Sequence, residues 1–239
     1  MSKVVSKVIF FIPARGGSKG IQEKNLQEIG NMSLVEIAVK TGIDLEHLIS
    51  IPVEVVVSSN DSRILELAES LNVTLHHRPE NLCQDNSTTE EALINFLEQD
   101  PLNRIKEGVV IGLMQCTSPF TSLEACRQAI DAIGVEGFDS AFLGIANHYW
   151  LYKWSEQEGT FLPQGHELGF RPSRQQVQEQ IHETGAGYFF TSSEFMHSKF
   201  RIFGKAKGIP VSAVEGIDID NQEDLDFARL VYNLRNTAG

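Results

Sequence analysis

Residues 8–25 read Val8-Ile-Phe-Phe-Ile-Pro-Ala-Arg-Gly-Gly-Ser-Lys-Gly-Ile-Gln-Glu-Lys-Asn25, an apolar run that ends on proline and passes straight into a glycine-rich loop with three cations. Five consecutive apolar residues bounded by a turn signal form the pattern of a strand buried on both faces, as in the middle of a parallel sheet. The loop after it suits a polyphosphate. Gly16, Gly17 and Gly20 can take positive φ and let backbone approach a ligand, while Arg15, Lys19 and Lys24 bring charge that a structural turn does not require. Neither G-x-x-x-x-G-K-[ST] nor G-x-G-x-x-G is present, which disfavours a P-loop kinase or a dinucleotide enzyme.

Outward from this stretch, apolar runs alternate with helical patterns, the sign of a largely parallel sheet with helices on both faces. Strands are expected near Val4–Ile12, Val53–Ser58, Val73–His76, Val109–Gln115, Ser140–Ile145, Gly187–Thr191 and Ile209–Val214. Three capping boxes, Ser33 with Glu36, Ser87 with Glu90 and Thr121 with Glu124, predict helices over about Leu34–Thr41, Thr88–Gln99 and Ser122–Ile133. A last helix after Asn221 is expected to turn Leu225, Phe227, Ala228, Leu230 and Val231 toward the sheet. The rhythm breaks at about residues 146–181, where Tyr149, Trp150, Tyr152 and Trp154 cluster outside it. Aromatic residues are enriched in interfaces, so this insertion reads as an extension that docks on something.

The 239 residues allow a single α/β domain carrying that insertion. An apolar fraction of 41% and a charged fraction of 22% are those of an ordinary globular protein. No stretch approaches the roughly 20 apolar residues of a membrane span. The first twelve residues read as a core strand rather than a signal peptide, because the apolar run ends in Pro13-Ala14-Arg15 without a small-residue cleavage pattern. Cys83, Cys116 and Cys126 are too few and too irregular for a disulfide framework or a zinc site and suit a reducing compartment, the cytoplasm. A formal charge of −12 opposes nucleic acid, so the loop cations read as a local pocket for a small phosphorylated ligand. The seven histidines show no ligand spacing and no nucleophile triad is evident.

Further stretches carry a resemblance in order along nearly the whole chain: Val57-Ser-Ser-Asn-Asp61, Arg78-Pro79, Leu113-Met-Gln-Cys-Thr-Ser-Pro119, Arg174-Gln175, Gly185-Ala-Gly-Tyr188 and Ile217-Asp-Ile-Asp220. With Ile12–Ile21 and Lys24-Asn25, they make the sequence similar to the acylneuraminate cytidylyltransferases, the CMP-sialic acid synthetases, which activate nonulosonic acids with CTP. The resemblance implies a three-layer, Rossmann-like nucleotidyltransferase fold with a mostly parallel central sheet and a projecting dimerisation arm, hence a homodimer. It implies CTP and a nine-carbon 2-keto sugar acid as ligands, with no nucleic acid or membrane partner.

Residue by residue, Ala14, Arg15, Gly16, Gly17, Ser18, Lys19, Asn25 and Arg78 match the family's nucleotide side, with Arg15, Lys19 and Lys24 stabilising the phosphates. Asp218 and Asp220, two apart in an extended segment, can point at one cation. Oxygen ligands of this kind suit Mg²⁺, with Mn²⁺ as a substitute, and the family match makes them the metal and catalytic pair. Gln115, at the carboxyl end of a strand, is the candidate sugar contact. By resemblance Lys153, Arg174, Gln175 and Tyr188 belong to the sugar side. Departures from the family pattern are Gln22 for proline, Cys116 for proline and Thr184 for asparagine. Kdo enzymes carry another loop in place of Gly-Gly-Ser-Lys-Gly, which weighs against that neighbouring specificity. Arg15, Lys19, Asp218 and Asp220 together weigh against a non-catalytic sensor on the same fold.

Overall fold

The computed structural model of the chain describes residues 4–17, 20–147, 150–170, 173 and 180–237. The first strand, β1 (Lys7–Pro13), is followed by a 3₁₀ turn (Lys24–Leu26), a small ribbon of β2 (Glu28–Ile29) and β3 (Met32–Ser33), α1 (Leu34–Ile49), β4 (Val53–Ser59), α2 (Ser62–Ser70) and β5 (Thr74–His77). A second 3₁₀ turn (Glu80–Leu82) leads into α3 (Thr89–Glu98), α4 (Pro101–Arg104), β6 (Val109–Met114), α5 (Leu123–Gly134) and β7 (Ser140–Asn147). After β8 (Leu151–Ser155) and β9 (Thr160–Gln164) come β10 (Gln180–Thr191), α6 (Ser192–Ser198), β11 (Ala206–Pro210) and α7 (Gln222–Thr237).

Seven strands form one sheet in the order β11-β7-β10-β6-β1-β4-β5. All neighbours are parallel except β10, which runs antiparallel to both β6 and β7. The apolar run of β1 feeds two cores. Val8, Phe10 and Ile12 face the layer that holds α1, α2, α5 and α7, while Ile9 and Phe11 face α3 and α6; all five are fully buried. The three-layer, mostly parallel α/β arrangement expected from the sequence is therefore present. From β1 the chain moves to β4 and β5 on one side and then returns to β6 on the other, so the topological switch lies between β1 and β6. Ligands collect outside the carboxyl ends of the strands at such a point.

The insertion is the long connection of a hairpin, since β7 ends at Asn147 beside Gln180 of β10. Within it β8 and β9 pair as a separate antiparallel ribbon whose Leu151, Tyr152, Trp154 and Phe161 are exposed. His148, Tyr149 and residues 174–179 lie outside the described residues.

Several local readings change. The box at α1 forms as expected, with Ser33 and Glu36 exchanging bonds. The helix runs on past Thr41 because Gly42 packs where a Cβ would come within 2.7 Å of Phe10 and 2.8 Å of Val55. At α3 the cap is Thr88 with Glu91, because Ser87 is occupied holding Gln84 and Asn81 and Glu90 turns inward to Arg201. At α5 the cap is Ser122; Thr121 donates back to Ser118 and Glu124 is taken by Arg127. Helix α2, capped by Asp61, is an element the sequence reading did not assign. The last strand ends at Pro210, and on α7 Phe227 and Leu230 are 53% and 55% exposed, so Leu225 and Ala228 alone are fully turned to the core. Strand β10 is longer than expected and carries an irregularity between Glu183 and Tyr188.

The capping box makes a direct prediction. Ser33→Ala should cost about 1 kcal/mol, a melting temperature lower by about 2–4 °C by calorimetry, with no loss of ligand binding, because it frees helix N–H groups remote from the switch point.

Candidate functional site

The backbone leaves β1 through Ala14, whose N–H donates to Ser58 O at 2.9 Å. Ala14 is thus part of the wall, its amide already spent, rather than a free donor for a ligand. In the loop beyond, Gly17 alone of the three glycines has positive φ, at 74°. The other two are required by close approach. A Cβ on Gly20 would lie 2.3 Å from Asp220 O, and one on Gly16 would lie 3.2 Å from Asp61 Cβ, where the Gly16 N–H donates to Asn60 Oδ1. Asn25 is buried and donates from Nδ2 to Arg15 O at 3.0 Å, which closes the loop on itself.

The two ends of the sequence meet here. Lys24 Nζ donates to Ile219 O at 2.8 Å and lies 3.3 Å from Asp220 Oδ1. Ile219 is fully buried and its N–H donates to Thr117 O at 2.9 Å, so the Asp218-Ile-Asp220 segment is laced both to the glycine loop and to the turn after β6. Between them a cleft of about 320 Å³ is lined by Arg15, Gly20, Lys24, Asn25, Arg78, Ser87, Thr89, Gln115 and Thr117. A neighbouring hollow is lined by Arg15, Gly16 and Gly17 of the loop and, facing them, by Asp61, Glu80 and Asp85, whose charge disfavours a polyphosphate there. Arg15 itself donates through Nη1 to Cys83 O and Gln84 O, each at 3.0 Å.

Asp218 Oδ1, Thr117 Oγ1 and Ser118 Oγ are buried without a hydrogen-bond partner. Each such group among the described residues costs about 1–3 kcal/mol, a cost that a partner from outside the chain would offset. Burial pushes the Asp218 carboxyl above its ordinary value and the charge of Asp220 adds to this, while the nearby Thr117 hydroxyl and Lys24 act the other way. A cation beside the pair removes both penalties. The donor set of two carboxylates fits Mg²⁺, which takes few protein oxygens and completes its shell with phosphates and water. On the other side Gly185 has φ of 76°, and a Cβ there would sit 3.4 Å from Asp218 Oδ2 and 3.8 Å from Gln115 Nε2. The irregular stretch of β10 thus leaves room between Gln115 and Asp218.

Of the residues expected at the site, Arg15, Gly16, Gly17, Lys24, Asn25, Arg78, Gln115, Asp218 and Asp220 come together. Two do not. Tyr188 is buried in the core of the opposite face, its hydroxyl bonded to Glu183 and its ring under the Arg201 guanidinium at 4.8 Å. Lys153 is on the exposed ribbon, opposite Leu162. Ser18, Lys19, Arg174 and Gln175 lie outside the described residues. Thr184 bonds Leu143 O at 3.0 Å and holds the strand rather than a ligand, and burial lifts the Cys116 thiol to about 12, so it packs and does not react. Thr117, Ser87, Thr89 and Gly185 were not among the expected site residues, although Thr117 and Gly185 fall within the stretches 113–119 and 185–188 and Ser87 was expected as a helix cap.

A family model described as cytidylyltransferase matches residues 9–235. N-acylneuraminate cytidylyltransferase A of Danio rerio is 27% identical over 218 residues, covering 90% of this chain and 48% of that protein. The chain therefore spans about half the length of that relative. Pseudaminic acid cytidylyltransferase of Campylobacter jejuni subsp. jejuni serotype O:23/36 (strain 81-176) is 26% identical over 241 residues, covering 97% of this chain and 99% of that one. Among solved structures, CMP:2-keto-3-deoxy-manno-octonic acid synthetase complexed with CTP has a TM-score of 0.69 at 13% identity, covering 96% of this chain and all of that chain. A 4-diphosphocytidyl-2C-methyl-D-erythritol synthase has 0.64 at 14%, covering 95% of this chain and 99% of that chain. These last two likenesses show the fold.

The contact at Gly20 separates loop geometry from core stability. Gly20→Ala must push the loop off Asp220, so CTP affinity measured by calorimetric titration should fall about tenfold, while the melting temperature stays within about 2 °C because no core side chain moves. Unchanged affinity would show that the loop and the aspartate segment act independently.

Proposed function

The chain belongs to the cytidylyltransferase family, and from that premise we propose that it couples CTP to a nonulosonic, sialic-type acid, giving the CMP-sugar and pyrophosphate. The observation that supports this reading is the Lys24 bridge, which ties the glycine loop to the segment of half-buried Asp218 and exposed Asp220, with Lys24 also lining the cleft that holds Arg78 and Gln115. The reaction forms one bond, from the anomeric oxygen of the sugar acid to the α-phosphorus, and breaks the bond from that phosphorus to the β-phosphate oxygen. The proton of the attacking hydroxyl is lost and pyrophosphate leaves.

Such a displacement needs alignment and charge stabilisation more than covalent help. Arg15 and Lys24, joined by Lys19, take the phosphates and the charge that grows on pyrophosphate. Asn25 and Arg78 hold the nucleoside. Gln115 faces the sugar across the room left by Gly185. Asp218 and Asp220 would hold Mg²⁺, or Mn²⁺ in its place, which when bound supplies Lewis-acid polarisation of the α-phosphate. Arg174 and Gln175, with Lys153 of the arm, are assigned to the carboxylate of the sugar acid, for which a guanidinium gives bidentate recognition. Tyr188, buried in the opposite core, is given no contact with the sugar. The arm makes the active form a homodimer, because its exposed aromatic ribbon is the kind of surface that isologous pairing buries. A cytoplasmic location suits both the nucleotide substrate and the three free cysteines. Among the described residues no helix is long and apolar enough to cross a membrane.

A panel of N-acetylneuraminic, legionaminic, pseudaminic, Kdn and Kdo acids with CTP and Mg²⁺ tests the reading through pyrophosphate release. Turnover of at least one nine-carbon acid is expected; release with Kdo alone, or with none, defeats it. Asp218→Asn and Asp220→Asn should each remain folded and lose about 10²-fold or more in turnover, as when a principal electrostatic stabiliser is removed. Sedimentation at micromolar concentration should show a dimer, and a fully active monomer would dispose of the role given to the arm.

A further inference from the structure

His76 is fully buried and stands at the end of a chain of hydrogen bonds that terminates in the cleft. Its Nε2 is 3.0 Å from Asn95 Oδ1 on α3, and its Nδ1 is 2.8 Å from Ser58 Oγ on β4. Ser58 Oγ in turn accepts from Arg78 Nε at 3.0 Å, and Ser58 O accepts from Arg78 Nη2 at 3.2 Å. Arg78 lines the cleft with Arg15, Asn25 and Gln115. Ser58 and His76 are direct neighbours across the β4–β5 pairing, and the imidazole lies near Phe11 and Phe96, with ring centroids 6.1 and 5.5 Å away.

One tautomer of His76 gives every donor in this chain an acceptor. Arg78 Nε–H uses Ser58 Oγ as acceptor, so the hydroxyl proton of Ser58 must go elsewhere, and Nδ1 of His76 is in reach. That requires a bare Nδ1 and a proton on Nε2, where Asn95 presents its Oδ1. Burial lowers the affinity of His76 for a second proton, and the cations Arg78 and Arg104, with His77, act in the same direction. A neutral imidazole thus gives a one-way order, Arg78 to Ser58 to His76 to Asn95, in which every donor has one acceptor. Two of the five guanidinium donors are committed to Ser58, which sets the plane of the fork.

We propose that Ser58, His76 and Asn95 are positioning residues that fix the Arg78 guanidinium in the nucleotide-binding cleft, an inference that rests on the nucleotide reading above. In the alternative, His76 only fills the core between two phenylalanines. The test measures CTP affinity by calorimetric titration in Ser58→Ala, His76→Leu, Asn95→Leu and Arg78→Ala, and in Ser58→Ala and His76→Leu combined with Arg78→Ala. Arg78→Ala should weaken CTP about tenfold or more, and Ser58→Ala and His76→Leu about five- to tenfold each, with the KM for the sugar acid unchanged. In the Arg78→Ala background both should add almost nothing, because they act through the residue already removed. If His76→Leu does not fold, Ser58→Ala and Asn95→Leu carry the same comparison. Folded relay variants with wild-type affinity, or losses that persist undiminished without Arg78, overturn the relay while leaving the nucleotide reading in place. An Arg78→Ala protein that binds CTP normally overturns both the relay and the role given to Arg78.

Discussion

A strand whose five central residues are all inaccessible to water can lie only inside a sheet covered on both faces, and this constraint on β1 organises the rest of the molecule. Val8, Phe10 and Ile12 and, on the other side, Ile9 and Phe11 each remove an apolar side chain from water at about 1.5–3 kcal/mol apiece, and each needs a helical layer to do it. With both layers in place, the chain can continue from Pro13 only at the open carboxyl edge of the sheet. There the parallel neighbours β4 and β6 also end, so Ser58 and Gln115 are brought beside the glycine loop by the same packing that stabilises the core.

Burial also shapes the chemistry of the aspartate pair. Ile219 is drawn fully into the core between Asp218 and Asp220, which holds both carboxylates at the surface of that core. Asp220 remains largely in water against Lys24, whereas Asp218 sinks far enough for its charged form to be penalised. Among the described residues Asp218 Oδ1 and the Ser118 hydroxyl are buried without a hydrogen bond, and the Thr117 hydroxyl beside Asp218 favours the charged carboxylate. Groups left in this way cost the fold free energy that a bound partner would return.

What was legible from the sequence was what the chain writes locally. The buried run of β1, the glycine loop, the strand-end Gln115 and the Asp-x-Asp each declare themselves within a few residues, and the loop and Gln115 line the cleft while Asp220 meets Lys24 at its edge. Helix caps were legible to within one residue only. Ser87 and Thr121 are as good caps as Thr88 and Ser122, and the choice between them is made by Asn81, Gln84 and Ser118, which no local rule supplies. The opposite error occurred at Tyr188, where a motif position implied the site but the parity of β10 turns the ring into the other core. His76 was invisible for a third reason: its role depends on partners 18 and 19 positions away on different elements.

The cleft concentrates cations on a chain with a formal charge of −12. At physiological ionic strength the Debye length is about 8 Å, so the diffuse negative surface is largely screened a short way from it. Contacts made at hydrogen-bond range inside a partly desolvated cleft are screened far less. Recognition of a polyanion on an acidic protein therefore depends on where a few cations are held, not on how many there are. That places a premium on fixing them: Lys24 is tied to Ile219 O, Arg15 to two carbonyls of the 83–84 turn, and Arg78 to Ser58. For Lys24 and Arg15 the ties are chiefly backbone carbonyls, whose position is set by the strands and turns themselves. Arg78 adds a side-chain anchor, which is why the order of protons behind Ser58 bears on a guanidinium that lines the cleft.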